Sequence, residues 1–272
     1  MQSNKSSING LKPIFNKSSN ASISGLILLL VFWSSFATAG SEQFESVVER
    51  ISPLVVGVGS YLRTRTPAPL LAGTGFVVGD GYHVITNDHV VTKSLTDEVG
   101  EELVVFVGKG RSAERRKARL LRRDAEHDLA LLRISGTSLP AFPLAENSRT
   151  VREGRQVAFT GFPIGVVLGL YPVTHRGYVS SISPVAIPAV SSGQLNVEMV
   201  KRLRDPFLVY QLDATAYPGN SGSPLYDPEN GELLGVINKV FVKESKESLL
   251  ERPSGITYAI PARYVRELLK DK

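Results

Sequence analysis

Three short stretches of this sequence hold residue types that can move protons or attack a carbonyl. Thr86-Asn-Asp-His89-Val-Val sets a histidine at the end of a strand pattern, and imidazole is the side chain that exchanges a proton near neutral pH. His127-Asp128-Leu-Ala-Leu-Leu-Arg133 puts an aspartate just ahead of an apolar strand. Tyr217-Pro-Gly-Asn-Ser221-Gly-Ser-Pro224 buries a serine in a turn rich in Gly and Pro. Each has a plain structural reading: a core histidine, a turn or cap aspartate, a tight loop. The serine turn is the most pointed of the three. Acyl transfer needs backbone N–H groups converging beside the nucleophile, which calls for small residues with unusual backbone angles, and Gly219 and Gly222 flank Ser221.

The elements that must position these residues read as strands. β-branched and aromatic runs broken by Gly, Pro and Asp cover 54–61, 73–78, 83–86, 103–107, 129–134, 156–161, 176–182, 207–212, 233–242 and 255–260. Short strands without long helices between them predict an all-β barrel or sandwich. A short amphipathic helix precedes them, with Phe44, Val47, Val48 and Ile51 on one face and Pro53 as its stop. A second follows Pro261, with Tyr264, Val265, Leu268 and Leu269 on one face. Residues 184–206, with three prolines, read as a long excursion, and Pro140 to Glu153 as the break between two halves.

Composition narrows the class. The 272 residues are 42% hydrophobic and 21% charged, which excludes a disordered chain and a polytopic membrane protein. The absence of cysteine excludes disulfides, thiolate metal sites and a cysteine nucleophile. Residues 1–39 carry three Lys and no acid, then the apolar run Gly25 to Trp33, then Ala37-Thr-Ala39: the order of a secretory signal peptide, with an uncleaved membrane anchor as the alternative. Removing that leader takes the net charge from +5 to +2, so nucleic acid is not an expected partner, and a membrane is one only if the leader stays.

In this order the motifs resemble the trypsin-like serine peptidases, and among them the HtrA (DegP-like) branch. The likeness runs over roughly residues 52–268 and rests on Gly73-Thr-Gly-Phe76, Asp80-Gly-Tyr, Thr86-Asn-Asp-His89, Asp128-Leu-Ala-Leu-Leu, Gly219-Asn-Ser221-Gly-Ser-Pro224 and Gly255-Ile-Thr-Tyr-Ala-Ile-Pro261. The resemblance implies two antiparallel six-stranded β-barrels, the first over about 52–145, the second over about 150–261, with a helix at 262–270. It implies a triad: Ser221 attacking the scissile carbonyl, His89 carrying its proton, Asp128 orienting the imidazole, and the N–H groups of Gly219 and Ser221 holding the oxyanion. It further implies an exported, periplasmic or secreted serine endopeptidase acting on unfolded or misfolded polypeptides. A homotrimer built on Ser41 to Ile51 is one use for that helix; packing on its own barrel is the other.

Several residues depart from the broader family. Asn220 stands where digestive relatives carry an aspartate that pairs with a freed N-terminus, so that switch is absent and any regulation falls to loop ordering, with 184–206 as the loop the resemblance points to. The sequence ends soon after the last helix, which predicts a protease domain without a PDZ domain. Thr215, Ala216 and Tyr217, with Ile237 and Asn238, are the expected walls of the primary pocket. Lacking an acid at Thr215, that pocket suits small or medium apolar side chains, with Asp213 the opposing detail. The basic run from Arg111 to Arg123 reads as a solvated edge, with a phosphate or lipid surface as the lesser reading. The four histidines lack metal-ligand spacing, so no metal and no other cofactor is expected. The competing function is a proteolytically silent, peptide-binding holdase on the same fold.

Overall fold

Among its described residues the computed structural model of this chain has twelve strands, most of them rich in β-branched residues. Residues 42–95, 98–144, 150–164, 169–185, 206–238 and 256–270 are described. The first six strands are β1 (Val55–Tyr61), β2 (Pro69–Val78), β3 (His83–Thr86), β4 (Glu102–Val107), β5 (Glu114–Asp124) and β6 (Leu129–Ile134). They close in the order β1-β2-β3-β6-β5-β4. The second six are β7 (Gln156–Gly161), β8 (Val173–Pro184), β9 (Leu208–Asp213), β10 (Pro224–Tyr226), β11 (Leu233–Asn238) and β12 (Ile256–Pro261). They close as β10-β11-β12-β9-β8-β7, and every pairing in both barrels is antiparallel. Closure removes the exposed edges that an open sheet would offer to another chain.

Among the described residues, three α-helices accompany the barrels: α1 (residues 42–51), α2 (Asp88–Ser94) and α3 (Ala262–Lys270). Val47 and Ile51 of α1 are each 1% exposed and pack with Leu54, Phe76, Tyr226 and Val265, while Phe44 and Val48 on the same face stay half-buried. The same cluster joins Ile85 and Leu129 of the first barrel to Phe162, Val236 and Ile260 of the second. It is therefore the seam between the barrels, while separate clusters fill each interior. Burying one such side chain contributes about 1.5–3 kcal/mol.

Two strands escaped the sequence pattern. β5 is mostly exposed and carries Arg and Lys instead of alternating apolar residues. It is a strand because β4 and β6 hydrogen-bond it on both sides, and its cations are put to use: Arg115 lies 3.4 Å over the Tyr61 ring, and Lys117 pairs with Glu102. Arg122 Nη1 donates to the Leu268 and Leu269 carbonyls at 2.8 and 3.3 Å, capping the end of α3 from the first barrel. β10 has only three residues. The excursion at 186–205 and the leader at 1–39 lie outside the described residues. Among those described, no helix is long and apolar enough to cross a membrane.

Candidate active site

His89 is the second residue of α2, not the end of a strand. Asn87 sits before the helix in extended backbone but sends its Nδ2–H to the Asp128 carbonyl, 3.0 Å away, and does not cap the helix itself. The cap comes from another element: Asp128 Oδ1 accepts the His89 backbone N–H at 2.8 Å. Asp128 Oδ2 lies 2.6 Å from His89 Nδ1. A carboxylate can only accept there, so Nδ1 carries the hydrogen and the Nε2 lone pair of the neutral ring is left for another partner. A third donor, Asn238 Nδ2, reaches Asp128 Oδ2 at 2.7 Å from a fully buried position on β11. Asp128 holds this pose in left-handed backbone, φ +51°, and its own carbonyl also accepts the Asp88 N–H at 3.2 Å. Arg123 forks both oxygens of the Asp88 carboxylate at 2.6 and 2.8 Å, tying α2 to β5.

Ser221, 7% exposed, lies in the turn before β10. The residue that separates this turn from α2 is Gly73 of β2: a Cβ there would stand 2.7 Å from Val90 Cγ2 and 3.0 Å from the Ser221 carbonyl oxygen. Thr74 then grips the turn twice, its N–H donating to the Ser221 carbonyl at 2.8 Å and its Oγ1 to the Gly219 carbonyl at 2.7 Å. Two further carbonyls are fixed, Pro218 by the Ile164 N–H at 2.7 Å and Asn220 by the Ser223 N–H at 3.0 Å. In a trans peptide the N–H points opposite to its carbonyl. Fixing these two carbonyls therefore fixes the N–H groups of Gly219 and Ser221, and among the described residues no carbonyl takes up either one. Gly219 has φ +101° and Gly222 φ +87°; a Cβ would lie 2.3 Å from the Phe162 carbonyl oxygen at the first and 2.0 Å from that of Thr74 at the second. Ile164 is itself left-handed at φ +46°, a costly state for a β-branched residue. Among the described residues it and Asp128 are the two non-glycine cases, and both serve this site.

A fixed pair of N–H groups that no described carbonyl takes up, beside a serine, with a histidine oriented by a half-buried aspartate across one small residue, is machinery suited to acyl transfer. The trypsin-like peptidase domain family matches residues 73–236, more than half of the chain. The chain belongs to that family. Among trypsin-like relatives, a probable periplasmic serine endoprotease DegP-like from Halomonas elongata is 29% identical over 189 residues, covering 70% of this chain and 32% of its own. Serine protease Do-like HtrA of Bacillus subtilis is 27% identical over 255 residues, 87% of this chain and 50% of its own. This chain thus spans about a third to a half of these curated relatives. Among solved structures, the serine endoprotease from Yersinia pestis superposes with a TM-score of 0.57 at 26% identity, covering 84% of this chain and 65% of that one. An HtrA-type protease with tripeptide gives 0.59 at 25% identity, covering 84% and 62%.

The trypsin-like fold assigns some residues differently from the sequence reading. Of the five expected pocket residues, Ala216 and Ile237 pack into the interior cluster of the second barrel. Alternation along β11 turns Ile237 inward and gives its neighbour Asn238 to Asp128. Thr215 and Tyr217 stay half-buried. Asp213 is exposed at the end of β9. The other histidines have partners of their own: His83 pairs with Asp80, His127 with Asp124, and His175 stacks on Phe159 with ring centroids 4.7 Å apart. Burial pushes the His175 pKa down, which leaves it neutral at neutral pH. Among the described residues no cluster of His, Cys, Asp and Glu could hold a metal ion. Sequence reasoning missed Asn238 as an Asp128 ligand, the supporting roles of Thr74, Asn87 and Arg123, and Ile164 altogether. For Asn238 the signal was present, since a buried amide on an otherwise apolar strand needs a partner.

Proposed function

We propose that this chain is a serine endopeptidase that cleaves unfolded polypeptides through an acyl-enzyme. Ser221 Oγ adds to the scissile carbonyl while its proton passes to His89 Nε2. Asp128 keeps the imidazole in the tautomer that leaves Nε2 free and stabilises the imidazolium that forms. The oxyanion is received by the N–H groups of Gly219 and Ser221. His89 then gives its proton to the leaving amine, the C–N bond breaks, and water, deprotonated by the same nitrogen, hydrolyses the ester and restores the Ser221 hydroxyl. The observation that carries this reading is the Asp128 carboxylate chelating both the backbone N–H and Nδ1 of His89.

The substrate is an extended chain presenting a small or medium apolar side chain, because residues 215–220, which lead into Ser221, carry no carboxylate to pair with Lys or Arg. Exported relatives named periplasmic, together with the leader-like residues 1–39, support action outside the cytoplasm. The test is digestion of an unfolded, casein-like protein by the full chain beside Ser221→Ala, with cleavage sites read by mass spectrometry. Cleavage by the wild type alone, mostly after Ala, Val, Ile or Leu, is expected. Equal cleavage by both, or cuts confined to Lys and Arg, would refute the mechanism or the specificity respectively.

A further inference from the structure

The catalytic aspartate proposed above is preceded by a second Asp–His pair built to the same plan. Asp124 Oδ1 accepts the His127 backbone N–H at 3.0 Å and Asp124 Oδ2 meets His127 Nδ1 at 2.7 Å, just as Asp128 grips His89. Burial raises the Asp124 carboxyl, but the hydrogen bonds and charge of His127 and the Glu126 N–H outweigh it and hold the group below its ordinary range. The His127 ring is then clamped by two elements distant in sequence. It stacks on Tyr264 of α3 at a centroid separation of 3.7 Å and an interplanar angle of 21°, and meets Phe207, beside β9, edge-on at 4.7 Å. Phe207 and Tyr264 complete the triangle at 5.6 Å. Tyr264 is only 7% exposed, and its hydroxyl accepts from Arg263 Nη2 at 2.6 Å.

The next residue is Asp128, in a left-handed conformation that costs energy and persists only where its surroundings over-determine it. On its C-terminal side, β6 fixes the chain by pairing Leu129 with Asp124. On its N-terminal side the fixing is done by the Asp124–His127 chelate and the aromatic clamp. We infer that His127, gripped by Asp124 and stacked on Tyr264, is a positioning residue for Asp128, and that through this stack α3 helps set the geometry of the catalytic histidine. His127 touches no reacting atom. It acts by holding the backbone from which the Asp128 carboxylate projects.

This inference rests on the serine-peptidase reading, and the experiment separates the two. The full chain, Ser221→Ala, His127→Ala, Tyr264→Leu, Tyr264→Phe and Leu268→Ala are assayed on one peptide substrate well below their unfolding temperatures. Leu268→Ala removes a buried side chain from the same helix without touching the stack, and serves as the control for destabilisation. The expected result is a kcat about 10-fold lower for His127→Ala and Tyr264→Leu, the effect of a fraction of an ångström at the catalytic group, with KM within about twofold. Tyr264→Phe, which keeps the ring, should restore kcat, and Leu268→Ala should lower the melting temperature alone. Equal kcat for Tyr264→Leu and Leu268→Ala, with the wild type active, overturns the positioning role and leaves the peptidase reading intact. Should Tyr264→Leu fail to fold, Asp124→Asn, isosteric and at a partly exposed turn, reads the same linkage: a kcat loss supports it and an unchanged kcat overturns it. A wild type without Ser221-dependent hydrolysis removes the peptidase reading and this inference with it.

Discussion

Replacing Asn238 by alanine removes the one donor to Asp128 that, among the described residues, comes from the second barrel. The Asn238 amide is 0% exposed and its Nδ2 sits 2.7 Å from Asp128 Oδ2, the oxygen that also faces His89 Nδ1. A hydrogen bond to a charged group contributes about 1.5–3 kcal/mol, and the half-buried Asp128 carboxylate would be left short of a donor. If the whole of that is felt when His89 becomes a cation, kcat falls roughly 10- to 150-fold, at about 1.4 kcal/mol per decade. KM should stay within about twofold, because the Asn238 amide is engaged with the acid–base pair. Hydrolysis of a fluorogenic peptide, with folded enzyme quantified by circular dichroism, checks this. Asn238→Asp should be worse, since it sets a second carboxylate beside the first. A folded Asn238→Ala with kcat within twofold of wild type would refute the claim that three donors together orient Asp128.

Gly219→Ala would force a side chain into φ +101° with its Cβ 2.3 Å from the Phe162 carbonyl; active-site titration and kinetics should show a folded protein slowed by about 10²–10³, the loss of one oxyanion donor. Arg122→Met keeps the stem of the side chain but removes the donor to the Leu268 and Leu269 carbonyls; about 1–2 kcal/mol of stability should be lost, read as a melting temperature lower by about 2–8 °C. His175 titrates in the opposite sense to a paired histidine. Its folded pKa lies below the unfolded value of about 6.5, so the unfolded state binds the proton first and stability falls as pH drops through about 6.5 towards the folded pKa. His175→Phe should flatten that part of a denaturation-versus-pH curve, and an unchanged slope between pH 7 and 5 would argue against a buried, neutral His175.

The sequence carried the strands whose alternation is apolar, such as β1 and β11, and the residues bearing the three motifs. It failed where a strand is defined by its neighbours. β5 shows no hydrophobic period because its pairing with β4 and β6, Tyr61 under Arg115 and Glu102 beside Lys117 make it a strand in context. Placing His89 on a strand failed for a related reason, since the cap of α2 is supplied by Asp128, 39 residues on, and only Asp88 in the first turn hinted at a helix. That strand alternation sends Ile237 into the barrel and leaves Asn238 to Asp128 was not readable from proximity in sequence. Long-range partners such as Thr74 on Gly219 and Ser221 depend on barrel closure, which no local spacing encodes.

The most direct test of the account is covalent labelling of Ser221 by a fluorophosphonate, which reacts with a serine only when a base activates it and an oxyanion site receives the developing charge. Intact-mass and peptide mass spectrometry should find one equivalent of label on Ser221 in the wild type, labelling slowed by orders of magnitude in His89→Ala and Asp128→Asn, and none in Ser221→Ala. A folded wild type that leaves Ser221 unlabelled, or that labels at the same rate without His89, would contradict it.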